Sequence, residues 1–375
     1  MKNNDCTGCG ACMNACTRQA ISMQEDAKGF LYPQIDMNKC INCGLCDKVC
    51  DRTNSDSLSH KALKAYYLKA SDKQVVRKST SGGAFTILSD YILSQGGVIY
   101  GSIMTKDFCI VHTSANTSEE RDSMRGSKYV QSSIGNTFQS IKKNLQEGKK
   151  VLFVGTPCQT AGLKAYLYRD FDNLFIIDML CHGVPNNKMF KDHLKYIEGK
   201  EQASVDSYTF RNKSYTWRPG AVQEAVIRNK VTASFDNQSF ISFFSQNLSL
   251  RESCFNCKHR IPERYSDFTI ADFWDLEQIV GEKDTEGVSL VTANTPKAVT
   301  LLQNENLGAV IKEVNYKDVA YRYAHRPLLD SGVNRDEFWA TYISKGYGAV
   351  VDKYYDNSLY RRVKFFIKKL VYKSK

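Results

Sequence analysis

Residues 6–16 read CTGCGACMNAC, and residues 40–50 read CINCGLCDKVC. Cys6, Cys9, Cys12 and Cys16 thus recur at Cys40, Cys43, Cys46 and Cys50, each displaced by 34 residues, with Gly10 falling on Gly44. C-x2-C-x2-C-x3-C written twice is a ligand pattern. A cubane iron–sulfur cluster needs four thiolates at the corners of a tetrahedron, and a short loop wraps three of them. A zinc site takes four ligands, typically as two separated pairs, and has no use for a third Cys at this spacing. The Pro that usually follows the fourth Cys is replaced by Thr17 and Asp51, which loosens the turn but removes no ligand.

In two-cluster ferredoxins the fourth corner of each cluster comes from the other repeat. One [4Fe-4S] cluster is therefore assigned to Cys6, Cys9, Cys12 and Cys50. The second takes Cys40, Cys43, Cys46 and Cys16. A radical-SAM reading is disfavoured, because no C-x3-C-x2-C occurs.

The chain has 375 residues, with 42% hydrophobic and 24% charged, which is an ordinary globular composition of two or three domains. Thirteen Cys, eight of them in the first 50 residues, read as intracellular ligation and not as a disulfide framework. No secretory signal is visible at the N-terminus, and no run of 18 apolar residues suits a transmembrane helix, so a cytoplasmic location is expected. The formal net charge is +11, but the last fifteen residues contribute +7 and leave +4 for the rest. The basic character is a tail, not a nucleic-acid-binding surface.

After a polar linker at Asp51–Ser59 the pattern changes. Strands are predicted over 61–69, 98–103, 108–111, 151–154, 174–180, 221–228, 268–274 and 288–293. Helices are predicted over 81–95, 133–147, 156–168, 188–197 and 296–304. The fold class expected is α+β joined to α/β: a bacterial-type two-cluster ferredoxin fold over 1–56, then a mixed-sheet α/β body in two parts, 60–148 and 149–325, and an extension over 326–375.

Five cysteines remain. Cys158 (GTPCQ) and Cys181 (CHGVP) each follow a predicted strand, and Cys254 and Cys257 form a C-x2-C pair. Cysteines at the ends of neighbouring strands, plus this loop, are candidates for a third cubane. Zinc at Cys254, Cys257 and His259 competes with it, as does a nucleophilic Cys158 activated by a helix N-terminus. Cys109 lies in a strand pattern and reads as core.

Six motifs occur in order: SGGAFT (81–86), RGSKYVQS (125–132), GTPCQ (155–159), CHGVP (181–185), RESCFNC (251–257) and ADFW (271–274). Over about residues 60 to 320 the chain resembles the coenzyme F420 hydrogenase/dehydrogenase beta-subunit family, to which an N-terminal ferredoxin module is often fused. The resemblance implies an FAD-containing iron–sulfur body, with Cys158, Cys181, Cys254 and Cys257 as ligands of the third cluster. It also implies a flavin that exchanges a hydride with a small redox partner, which in archaeal members is the deazaflavin coenzyme F420.

With that resemblance, Ser81, Gly82 and Gly83 become candidates for the FAD diphosphate at a helix N-terminus. Arg125, Ser127, Lys128 and Gln131 become candidates for phosphate or a flavin edge, and Trp274 for stacking near flavin or cluster. Arg211, Lys213 and Trp217 form a cationic, aromatic loop suited to an anionic substrate, and His182 is a weak candidate for proton delivery. No G-x-G-x-x-G follows a strand, so a Rossmann-type site is not indicated.

Leu359, Val363, Phe366, Ile367, Leu370 and Val371 share one face of a basic helix. That pattern suits peripheral contact of residues 358–375 with an anionic membrane, at its inner face, or packing on the body or an acidic partner. The function expected is an iron–sulfur flavoprotein oxidoreductase that passes electrons between its clusters and FAD and a small organic or deazaflavin-like partner, with a redox protein as donor or acceptor. The alternatives are a non-catalytic electron-transfer subunit docked on a separate catalytic partner, and a zinc-stabilised scaffold.

Overall fold

The structure, a computed structural model, describes residues 5–50, 59–213, 215–217, 222–322, 328 and 332–373. The linker read at Asp51–Ser59 lies, but for Ser59, outside the described residues.

The cysteine repeats fold as a pseudo-symmetric module. Helix α1 (Ala11–Ala15) precedes the antiparallel hairpin β1 (Ile21–Glu25) and β2 (Leu31–Ile35), and helix α2 (Leu45–Lys48) follows it. Each helix opens from a left-handed glycine, Gly10 at φ 77° and Gly44 at φ 71°, a conformation that a side chain would strain.

The body begins with β3 (Lys64–Ala70), α3 (Lys73–Lys78), α4 (Ala84–Ser94), β4 (Val98–Met104), β5 (Ile110–Ala115), α5 (Ser118–Asp122) and α6 (Thr137–Gln146). It continues with β6 (Val151–Val154), α7 (Pro157–Leu167), β7 (Leu174–Met179) and α8 (Asn187–Glu201). A separate antiparallel sheet follows, made of β8 (Val205–Asn212), β9 (Val222–Ile227) and β10 (Lys230–Thr232). The chain then runs through α9 (Ser239–Ser245), β11 (Phe268–Asp272), α10 (Leu276–Val280), β12 (Ser289–Ala293), α11 (Pro296–Leu302) and β13 (Ala309–Val314). It closes with α12 (Tyr316–Val319), α13 (Arg335–Tyr354) and α14 (Leu359–Lys373).

Eight strands form the main sheet, in the order β13-β3-β12-β11-β7-β6-β4-β5. The centre, β11-β7-β6-β4, is parallel, and antiparallel strands extend it on both sides. This is the mixed sheet expected, drawn from both parts of the body. Alternation along the strands splits the core. Ile99, Leu152 and Ile177 join Leu88 of α4 and Leu301 of α11 on one face. Val98, Phe153 and Ile176 join Phe138 of α6 and Leu163 of α7 on the other. Each fully buried side chain of this size contributes about 1.5–3 kcal/mol. Cys9, Ala11 and Val49 of the module belong to that second cluster, so the ferredoxin part shares its core with the α6–α7 layer.

Three of the differences from the sequence reading bear on candidate residues. The helix expected from Ser81 starts at Ala84, and the one expected from Ser133 starts at Thr137. Cys109 is not core. It lies half-buried in the turn between β4 and β5, its Sγ 3.3 Å from Asp107 Oδ2, because the strand begins only at Ile110.

Candidate iron–sulfur and cofactor site

Parallel neighbours deliver the body cysteines to one place. β6 and β7 pair in parallel from Val151–Leu174 to Val154–Ile177, so the segments leaving their C-terminal ends start side by side. Pro157 opens α7 directly after β6, and Thr156 N donates to Gln159 Oε1, which fixes that turn and sets Cys158 in the first helical turn. Cys181 leaves β7 two residues beyond Met179. The 3-10 turn Glu252–Cys254 brings up the C-x2-C loop, held by Arg251 N donating to Val184 O at 2.9 Å. Cys158, Cys181, Cys254 and Cys257 line one small, apolar cavity with His182, His259 and Arg260. Crevices at the carboxyl ends of parallel strands are the usual ligand sites of such sheets.

The thiols feel one another. Burial pushes Cys181 up to about 12 and Cys254 up to about 11, and neighbouring thiols push the same way. Cys158 is driven well above the ordinary thiol range by burial, then by Cys257 and Cys181. A nucleophilic Cys158 is one of the alternatives that the sequence offers, and burial pushes this thiol away from the thiolate form that a nucleophile needs. Four such thiols become ligands when metal cations replace their protons. Thr156 Oγ1 lies 3.2 Å from Cys158 Sγ, a contact of the kind that tunes a ligating sulfur. Among the described residues, no group of three or more His, Cys, Asp or Glu side chains stands close enough to hold a metal ion as it is, the cysteine sets included.

In the module, burial pushes Cys12 up to about 12, and Cys6 from its own repeat and Cys50 from the other add to it. The second repeat therefore reaches the first, as a shared fourth corner requires. Ala20 N donates to Cys16 Sγ at 3.2 Å. Cys9 is buried and Cys43 is exposed, so the Cys6–Cys12 loop faces the body and the Cys40–Cys46 loop faces solvent. A Cβ at Gly162 of α7 would lie 2.9 Å from Cys9 Sγ, and Gly162 stands one turn beyond Cys158.

Arg251 joins the two parts. It is 1% exposed. Nε donates to Cys6 O at 2.9 Å, Nη2 donates to Leu31 O, and Nη1 lies 3.4 Å from Gln131 Oε1. Its guanidinium stacks 4.4 Å from the Tyr32 ring. Sequence reading placed Arg251 in a motif but gave it no role.

A second, larger cavity of about 540 Å³ opens beside β8 and α3. Arg77, Lys78, Arg125, Arg211 and Lys213 line it, against the carboxylate of Asp122. Arg211 Nη1 is 2.6 Å from Asp272 Oδ2 at the end of β11, and the Trp274 ring stands 6.0 Å from Arg211 and 5.5 Å from Arg322. Trp274 Nε1 is buried and has no hydrogen-bond partner among the described residues. Lys213 Nζ donates to Val76 O and Ser81 O, each at 2.6 Å. Burial lowers Lys213 to about 8, partly offset by Asp272 and Asp284. Arg77 and Lys78 were not read as site residues, although they stand just ahead of SGGAFT.

The candidates for flavin divide. Arg125 lines the cavity, and Ser127 N donates to Thr80 Oγ1 on its wall. Lys128 turns inward and donates to the carbonyls of Met124, Arg125 and Gly126. Gln131 faces the module, donating to Thr7 O at 2.7 Å. Ser81 Oγ donates to Val288 O, and Gly82 is packed where a Cβ would meet Ser289 N at 2.6 Å. Gly83, at φ 95°, is the residue from which α4 starts, and its side-chain-free backbone packs by Ala70 and Val75. Trp217 Nε1 donates to Asp284 O at 3.2 Å. His182 sits at the cysteine cavity, Nε2 2.7 Å from Asn247 Oδ1, with its ring tilted on Phe244.

Comparison with known proteins names these parts. Residues 5–53 match the 4Fe-4S dicluster domain. Residues 148–318 match the model for the C terminus of the coenzyme F420 hydrogenase/dehydrogenase beta subunit. The body from residue 148 to 318 is thus similar to the beta subunits of the coenzyme F420 hydrogenases and dehydrogenases. GTPCQ, CHGVP, RESCFNC and ADFW fall within the beta-subunit match, whereas SGGAFT and RGSKYVQS precede it.

Two curated relatives are similar to this chain over part of its length. It is 26% identical over 185 residues to the coenzyme F420-dependent sulfite reductase of Methanocaldococcus jannaschii, covering 48% of this chain and 28% of that protein. It is 28% identical over 137 residues to the F420-dependent formate dehydrogenase 1 subunit beta of Methanococcus maripaludis, covering 35% of this chain and 34% of that protein. The matches therefore span about a third of each relative's length. A chain from the xenon-derivatized F420-reducing [NiFe] hydrogenase complex of Methanosarcina barkeri aligns over 80% of this chain and 94% of its own, at 16% identity and a TM-score of 0.44.

Proposed function

We propose that this chain is an iron–sulfur flavoprotein oxidoreductase, with a third [4Fe-4S] cluster held by Cys158, Cys181, Cys254 and Cys257 and with FAD in the cationic cavity. The observation that carries this reading is the convergence of those four cysteines on one cavity, with Cys9 of the module one helical turn from Cys158.

Strand order supports a line of transfer. Cys158, Cys181 and Trp274 follow β6, β7 and β11, which are consecutive in the sheet. Two strand steps are about 10 Å. The Cys40–Cys46 loop is the solvent side, the Cys6–Cys12 loop is the inner side, and the body cysteines come next. Bound in these places, the clusters supply one-electron relays and a flavin supplies the two-electron step of hydride chemistry.

The residues do the rest. Arg125, Arg211 and Lys213 provide charge for a diphosphate, and Asp272 holds the Arg211 fork in place. Trp274 offers an aromatic face beside that fork. Lys128, Gln131 and Gly82 keep the surrounding loops in shape and are not ligands in this reading. The small hydride partner proposed is of the deazaflavin type named in the F420-dependent relatives.

The test is the flavin released by denaturing the chain after strictly anaerobic purification, followed by hydride exchange with reduced coenzyme F420. About one FAD per chain with turnover supports the proposal. Iron without flavin favours the second reading, a non-catalytic electron-transfer subunit docked on a separate partner. The name of one relative, a subunit beta, speaks for that reading.

A further inference from the structure

Helix α14 is turned opposite to an ordinary surface helix. Such a helix lays its apolar stripe on the core and its charges in water. Here Leu359, Val363, Phe366 and Ile367, spaced i, i+4, i+7 and i+8, form one stripe and are 77%, 48%, 61% and 54% exposed. Contact with the body is made from the other side. Phe365 packs edge-on against Phe235 at 5.8 Å, in a small cluster with Tyr215, Val222 and Ala233. Arg362 adds to it, over the Phe235 ring at 5.2 Å and 3.8 Å from Asp236. The body therefore holds the helix through Phe365 and Arg362 and leaves the Leu359, Val363, Phe366 and Ile367 stripe facing outward.

Charge decides what covers that stripe. Residues 359–375 contain seven Lys and Arg and no carboxylate side chain. Arg361 is paired with Asp356 just ahead of the helix, and Lys364 meets no carboxylate among the described residues. A second copy of this helix would set one cationic segment against another, which is repulsive. An apolar stripe bordered by cations, with an exposed Tyr360 at its margin, suits the plane of an anionic bilayer. Fifteen residues with this many cations do not span a bilayer.

We infer that α14 seats this protein on an anionic lipid surface, with Leu359, Val363, Phe366 and Ile367 entering the headgroup boundary and the flanking Lys and Arg meeting lipid phosphates. Each cation near such a surface strengthens binding about fivefold at low salt. The stripe lies apart from both cavities, so this inference stands independently of the redox assignment.

The experiment is sedimentation of the full chain with phosphatidylcholine vesicles, with and without phosphatidylglycerol. The expected result is pelleting with phosphatidylglycerol only, reduced by salt, with Val363→Asp/Phe366→Asp at least about tenfold weaker and Lys364→Glu about fivefold weaker or more. The substituted side chains are exposed, and unchanged circular dichroism checks that the variants are folded. Wild-type chain left in the supernatant with anionic vesicles overturns the inference. So does equal pelleting of the double variant, or a lipid-free dimer in sedimentation velocity that the double variant abolishes.

Discussion

Cys9 rests on Gly162, one turn of α7 beyond Cys158, and a methyl group added at Gly162 would lie 2.9 Å from Cys9 Sγ. The missing side chain is what lets a module cysteine approach a body cysteine. Helix propensity alone would make Gly162→Ala stabilising by about 1 kcal/mol. Overpacking against a sulfur held in place costs more, roughly 1–3 kcal/mol. Gly162→Ala is therefore expected to lower stability in urea titrations and to slow electron transfer from the reduced module to the body. A stabilised variant with unchanged transfer would contradict the tight contact.

Arg251 is the second fastening. Its guanidinium serves Cys6 O, Leu31 O and Gln131 Oε1 at once while stacking on Tyr32. Arg251→Leu leaves two backbone carbonyls without their donor, at about 1–3 kcal/mol each. Arg251→Lys does not restore it, because one ammonium lacks the planar fork. Both variants are expected to expose the segment joining module and body to limited proteolysis faster than wild type. Wild-type cleavage rates in Arg251→Leu would refute the bridging role.

The cationic cavity carries a pH dependence. Lys213 is lowered to about 8 by burial, with Lys69 and Arg211 acting in the same direction and Asp272 and Asp284 against it. Its charge is nearly full below pH 7 and is lost as pH rises through about 8. Affinity for pyrophosphate, used as a probe of the FAD diphosphate site, is therefore expected to fall between about pH 7 and about pH 9. Lys213→Arg should flatten that profile, since guanidinium keeps its proton. Isothermal titration at the two pH values decides it; a wild-type affinity independent of pH would remove Lys213 from the anion site.

Much of this was legible in the sequence because it rests on local pattern. The repeats mark a 4Fe-4S dicluster domain by their spacing, and β4, β6 and β7 are short apolar runs bounded by turns. Cys158 and Cys181 could be placed at strand ends, but which strands are neighbours is a matter of long-range pairing. β8 was missed because VDSYTFRN is mostly polar, with only Val205, Tyr208 and Phe210 buried. α13 was missed because Gly346 interrupts its period, and the helix is kinked there at φ 83°. The direction of a polar side chain was least legible. Lys128 and Gln131 read like ligands for an anion, yet one caps its own loop and the other reaches the module. Arg77 and Lys78 come to line the cationic cavity only because β8 folds opposite α3.

The central claim, that the four body cysteines hold a cluster beside the module, is tested most directly by iron and acid-labile sulfide per chain after anaerobic purification. About twelve iron atoms are expected, three clusters of four, falling to about eight in Cys181→Ser/Cys257→Ser with the module's signals retained. About eight iron atoms in the wild-type chain, unchanged in that variant, would contradict it.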